Sequence, residues 1–247
     1  MRRMLNRVPE VTGSFWIVKV LATTVGETAA DYLSVNLNLG LSVTSYVMSG
    51  VLLIALLNQF RLKQYIPVSY WIVVVLMSIT GTLITDRLVD EFGVILVTTT
   101  IVFSVVLLVV FALWYLNEKT LAMHSINTVK RELFYWAAIL FTFALGTATG
   151  DLLAEALKLG YAQSTLVFSV LIAIVAICYY YFGMNAVLAF WLAYILTRPL
   201  GASTGDLLSQ PLKNGGLGLG TVGTSMLFLS IIVSLVIYLS FKHRRLA

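Results

Sequence analysis

The sequence predicts an all-α polytopic membrane protein: eight transmembrane helices arranged as four parallel tandem two-helix repeats with internal pseudo-symmetry. Three observations predict it. The first is composition: of 247 residues 60% are hydrophobic and 11% charged, where a soluble domain carries roughly 25% charged residues, and the mean hydropathy is +0.95. The second is length: a membrane helix needs about 20 mostly apolar residues, and eight such stretches fit, near 14–34, 41–60, 67–88, 93–116, 132–157, 161–182, 185–208 and 217–241. The third is a recurring spacing in which a Trp is followed ten residues later by a Gly and five further on by an Asp. It occurs as Trp16/Gly26/Asp31, Trp71/Gly81/Asp86, Trp136/Gly146/Asp151 and Trp191/Gly201/Asp206, with Trp-to-Trp intervals of 55, 65 and 55 residues. A fixed period of this length marks one structural unit copied in tandem.

The repeats run over about 14–60, 67–116, 132–182 and 185–241. Each holds a polar-spotted first helix and a more apolar second one. Helix 1 follows the basic start MRRMLNRVPE and carries Lys19, Glu27 and Asp31, a poor core for a cleavable signal, so it is expected to be retained. The even helices are blander, as in Val51–Leu57, Val102–Val110 and Leu171–Ile177. Asn117–Arg131 is read as the longest connection, dividing a single membrane domain into halves 1–117 and 131–247. Helix 7 carries Arg198-Pro199, which the other repeats lack, and Pro199 is expected to kink it because proline cannot donate a backbone hydrogen bond. The glycines of 215–220 are expected to begin helix 8. The single Cys178 excludes an intrachain disulfide and a zinc cluster.

The net charge of +5 reads as a topology signal, not a nucleic-acid footprint. Arg2, Arg3, Arg7, Arg61, Lys63, Lys119, Lys130, Arg131, Lys242, Arg244 and Arg245 fall on one side of the eight-span arrangement, and only Arg87, Lys158 and Lys213 on the other. The positive-inside rule then places both termini in the cytoplasm. Lys19, one turn from Trp16, is expected to snorkel to that surface. The Trp residues are read as interfacial anchors whose unvarying spacing also points to packing. Trp and Asp are separated by about 22 Å of helix.

An acidic residue in an apolar span is a functional-site hypothesis. If the repeats surround one axis, Asp31, Asp86, Asp151 and Asp206 converge at one depth. Such carboxylates must bind cations, pair with bases, face water or stay protonated; the plain alternative is that they cap helix ends. Four of the polar residues around them lie four positions from an Asp, namely Glu27 before Asp31, Asp90 after Asp86, Glu155 after Asp151 and Gln210 after Asp206, so each pair is expected on one helix face. Hard oxygen donors of this kind suit Mg²⁺, Mn²⁺ or Ca²⁺. Arg198, near mid-membrane, is expected to pair with a carboxylate of another repeat, Asp31 or Glu27. Gly26, Gly81, Gly146 and Gly201, with small and hydroxyl neighbours, are expected at helix contacts, since small residues let helices approach closely in lipid.

The four copies, each with its Trp and its Gly-x4-Asp, resemble the bacterial membrane proteins built from four tandem two-helix repeats of unknown function, the uncharacterised membrane-anchored proteins. The resemblance covers about 14–241. It implies a fold, a topology and a bacterial plasma membrane location, and carries no activity. Enzyme signatures are weak: Gly150-Asp151 and Gly205-Asp206 lack the earlier Gly and the Tyr-Asp of intramembrane aspartyl proteases, and the Gly run at 215–220 lacks the Lys-Ser/Thr of a phosphate-binding loop. The expectation is therefore a non-enzymatic transporter of a small cation, a divalent metal ion first, with the carboxylates as ligands and proton acceptors. Its partners would be the lipid bilayer, the cation, protons and, optionally, further copies of the chain, with no cofactor and no nucleic acid. A cation channel with a ring of four Asp and a non-transporting membrane scaffold or assembly factor are the alternatives.

Overall fold

The computed structural model describes residues 6–246, with side chains through Phe241. Arg2 and Arg3, and the side chains of Lys242, His243, Arg244 and Arg245, lie outside the described residues, so their part in the charge asymmetry has no structural counterpart here.

Among the described residues the chain forms eight α-helices: α1 Gly13–Asp31, α2 Leu41–Arg61, α3 Pro67–Asp86, α4 Leu96–Glu118, α5 Val129–Asp151, α6 Tyr161–Tyr181, α7 Ala186–Ser209 and α8 Gly220–Leu246. Their starts follow from local chemistry. Thr12, Thr128 and Asn185 cap α1, α5 and α7 by accepting from Phe15 N, Arg131 N and Val187 N, and Pro67 opens α3 where its missing N–H costs nothing. Seven helices are long and apolar enough to cross a membrane. The exception is α1, whose Lys19, Glu27 and threonines lower its hydropathy. Lys19 and Glu27 are buried by protein, so neither meets lipid.

The odd helices form a closed inner ring, α1 on α3, α3 on α5, α5 on α7 and α7 on α1, and the even helices lie outside it. Burial separates the two sets: α3 buries 67% and α5 61% of their most apolar windows, against 17% each for α2 and α4. Each even helix packs on the odd helix that follows it, α2 on α3, α4 on α5 and α6 on α7, and α8 returns to close on α1.

Two columns of the repeat build the ring. The residue before each Trp is aromatic, and it packs on the Trp of the next repeat. Phe15 meets Trp71 at 5.6 Å between ring centroids, Tyr70 meets Trp136 at 5.4 Å, Tyr135 meets Trp191 at 6.2 Å and Phe190 meets Trp16 at 5.7 Å. Trp71, Trp136 and Trp191 are thus 2–4% exposed. For these three indoles this corrects the expectation of lipid-interface anchors and leaves the packing role, large aromatic area buried between inner helices; Trp16 is half-buried.

The second column is the glycine. A Cβ on Gly26 would strike the Ser78 side chain, one on Gly81 Phe143 Cβ, one on Gly146 the Arg198 stem and one on Gly201 the Thr23 side chain. In every case the neighbour stands seven residues after the next repeat's Trp, so all four crossings are one contact repeated. The crossings are close because each glycine lacks a side chain.

The glycine run before α8 departs from expectation. Gly215, Gly218 and Gly220 have φ of 85°, 75° and 72°, a left-handed backbone that favours glycine, so the run shapes the turn between Ser209 and α8. That connection is as long as the one between α4 and α5. Pro199 sits within α7, which continues through it to Ser209.

Candidate functional site: the axis of the inner ring

Arg198 occupies the middle of the ring and is fully buried. Its guanidinium bonds to all three other inner helices. Nη2 donates to Glu27 Oε2 of α1 at 2.9 Å and to Thr147 Oγ1 of α5 at 2.7 Å, and it contacts Thr82 Oγ1 of α3. Nη1 donates to the Thr23 carbonyl at 3.4 Å. Thr82 also donates to Glu27 Oε2 at 3.3 Å. Glu27, Thr82 and Thr147 each stand eleven residues after their Trp. Repeat four has the small Ala202 in that column, leaving room for an arginine four residues earlier. The fold thus has a fourfold frame with one matched exception: a cation from repeat four and its acceptors from the other three. The expected pairing of Arg198 is met by Glu27, not by Asp31.

On the side toward the helix C-termini lie the four aspartates. Asp206 is 8% exposed, and Asp31, Asp86 and Asp151 are half-buried. Asp31, Asp151 and Glu27 are within electrostatic reach of Asp206, and Asp31, Asp151 and Glu27 are likewise in reach of Asp86. None of the four side chains has a hydrogen bond or ion-pair partner among the described residues. Nor does any group of three or more His, Cys, Asp or Glu gather closely enough there to hold a metal ion. The aspartates therefore share a region without forming a ready coordination shell.

After Asp31, Asp86 and Asp151 the helix opens into a π-turn, Tyr32–Asn36, Arg87–Glu91 and Leu152–Ala156. Such turns leave the regular ladder and recur at functional sites. Within them Asp90 and Glu155 are exposed yet within electrostatic reach of Asp31, and Glu155 accepts from the Tyr161 hydroxyl at 3.2 Å. In repeat four Pro211 stands five residues after Asp206 and has no N–H for a π-type bond. The residue before it, Gln210, is extended (φ −67°, ψ 149°), as a residue preceding proline prefers, so α7 ends there without a π-turn.

Toward the Trp end, Lys19 is fully buried. Its Nζ donates to the Tyr194 carbonyl at 3.3 Å and lies 4.4 Å from the Tyr194 ring centroid and 4.9 Å from that of Phe143. Lys19 thus does not snorkel. Its side chain points into the ring because α1 is enclosed by α3, α7 and α8. Beyond it the Tyr70 and Tyr135 hydroxyls meet at 2.5 Å. The end is closed by a clasp that pattern reading missed: buried Glu132 accepts from Arg7 at 2.7 Å and from Gln59 at 3.2 Å, and Ser69 donates to Gln59 at 2.7 Å. Repeat alignment could have found the aromatic and threonine columns. The clasp has no counterpart in other repeats and left no signal.

The family model of the Repeat of Unknown Function (DUF347) matches this chain four times, over residues 14–65, 69–120, 134–185 and 189–245. The chain belongs to that repeat family. No curated protein and no solved structure matches it.

Proposed function

We propose that this four-repeat membrane protein moves a small cation across a membrane, with the carboxylates of its axis as ion ligands and proton acceptors. One observation carries the reading: the four repeat aspartates share one end of the inner ring, Asp31 and Asp151 within electrostatic reach of both Asp86 and Asp206, none of them in an ion pair among the described residues, beside a buried Arg198–Glu27 pair that ties the four inner helices together. Unpaired carboxylates in a low-dielectric setting attract cations and protons. A divalent ion is the first candidate. With no ready shell of three acids, it would keep part of its water, as Mg²⁺ does readily. Arg198 acts as the internal substitute cation when no ion is bound.

A transporter is favoured over a channel because the axis is filled at several levels, by Arg198, Lys19, the Tyr70–Tyr135 pair and the Arg7–Glu132 clasp. Transport then requires these layers to open in turn. The interleaving of helices bears on how: α4 of the first half packs on α5 of the second, and α8 on α1, so movement would proceed by neighbouring helix pairs rather than by two separate halves. We place the protein in a bacterial plasma membrane with both termini cytoplasmic, on the basic asymmetry of the loops.

The test is flux of Mg²⁺, Mn²⁺, Na⁺ and K⁺ into proteoliposomes, with and without a pH gradient. Asp151→Asn and Asp206→Asn keep shape and remove charge, so each should abolish cation-dependent flux while the protein still folds. Full flux and ion affinity in both variants across the pH range would overturn the reading.

A further inference from the structure

Among the described residues, the stretch of axis between the Tyr70–Tyr135 pair and the aspartates holds two basic side chains, Lys19 and Arg198, and one carboxylate partner for them. Arg198 takes that partner, Glu27. Lys19 has only a backbone carbonyl and two aromatic faces. Both cations lie on one ring: the Phe143 centroid is 4.9 Å from Lys19 Nζ and 5.7 Å from the Arg198 guanidinium carbon. The groups facing Lys19 are few. From α7 they are Arg198 and Tyr194, and from α5 the uncharged Phe143. From α3 the nearest titratable group is Tyr70, since that helix carries no charge before Asp86. On α8 Tyr238 is exposed, away from the axis. On α1 itself Glu27 is two turns away.

Burial of an ammonium without a carboxylate is costly, and lysine, unlike arginine, can relieve that cost by giving up a proton. A cation held by the aspartates and Glu27 adds positive charge to the same axis. Its charge opposes that of the Lys19 ammonium along the axis. We infer that Lys19 is a proton site of this protein beside the carboxylates, and that its protonation and cation occupancy at the aspartate end oppose one another, coupling cation movement to proton movement in the opposite direction. The inference rests on the proposed cation-transport reading and names its coupling ion. In the exchange the ammonium N–H bond breaks, the electron pair stays on the amine, and the proton leaves to water as the cation binds. By linkage, protonating Lys19 weakens cation binding by the same factor that the cation weakens protonation. Lys19 and Asp31 stand at opposite ends of one stretch of α1, about 18 Å apart at 1.5 Å per residue, and at an effective dielectric of ~20 two unit charges at that distance set the factor at roughly fivefold.

The experiment adds Mg²⁺ or Mn²⁺ to the full-length purified protein in weakly buffered detergent solution, reading cation affinity by calorimetry and released protons by an indicator dye. Wild type should release protons as the cation binds. Lys19→Met should bind the cation at least as tightly, with release lower by up to about 0.4 proton per chain, the most that a roughly fivefold linkage displaces. Lys19→Arg keeps the charge but cannot give up a proton, so its affinity should fall by up to roughly fivefold. It tests the same linkage should the methionine variant not fold. Unchanged release in Lys19→Met, or unchanged affinity in Lys19→Arg, overturns the Lys19 assignment and leaves cation binding standing. Absence of binding to wild type overturns the transport reading and the exchange with it.

Discussion

At the scale of single residues, the centre of the bundle is a matched set. Arg198 and Glu27 are both buried and share hydrogen bonds with Thr82 and Thr147. Removing one partner of such a pair leaves a charge without compensation, which typically costs about 3–5 kcal/mol, whereas replacing both with apolar residues is often near neutral. Arg198→Leu and Glu27→Leu should each lower thermal stability in detergent strongly, and the double variant should recover most of the loss. A double variant no better than the worse single one would show that the pair does not interact as described. Glu132 poses the same problem at the Trp end. Glu132→Ala should lower the thermal midpoint in detergent more than a surface change does, because Arg7 and Gln59 lose their acceptor together.

At the scale of elements, the four glycine crossings form one contact made four times. A methyl on Gly81 would lie 2.6 Å from Phe143 Cβ and 3.1 Å from the Ala144 nitrogen, while one on Gly50 of α2 meets nothing within 4 Å. Gly81→Ala should therefore cost about 1–3 kcal/mol through overpacking. Gly50→Ala should stabilise slightly, since alanine is the better helix former. Thermal denaturation of the two variants in one detergent checks the contrast, and equal midpoints would contradict the crossing geometry. The π-turns belong to the same scale. Three repeats share them, and Pro211 accounts for their absence in the fourth.

At the scale of the whole molecule, ring closure depends on the last helix returning to the first. The Thr28 and Ser225 hydroxyls of α1 and α8 are 2.7 Å apart. Cysteines at these two positions, in a Cys178→Ser background, should cross-link under mild oxidation and link the chain's first and last helices. Failure to cross-link would argue against closure. Orientation is tested separately: Asn36 and Lys213 are both exposed at the Asp end, and cysteines there should react with a membrane-impermeant reagent only from outside the cell. Labelling solely from the cytoplasmic face would invert the topology.

The sequence by itself determined the class, the number of helices and the repeat, because hydrophobic length and fixed spacing are properties of the chain read in one dimension. It also singled out the glycine column and the need of Arg198 for a carboxylate, since a buried charge demands a partner wherever it sits. Only tertiary structure decided which partner, because Glu27 and Asp31 lie one turn apart on one helix and the choice depends on how α1 faces α7. The same holds for Lys19, which could reach the surface from an isolated helix but is turned inward once α3, α7 and α8 enclose α1. It holds too for the pairing of even helices with their successors, and for Arg7 with Glu132, 125 residues apart. Periodicity shows which residues are alike. Which of them touch is set by the packing of four helices around one axis, a constraint that acts across the chain and not along it.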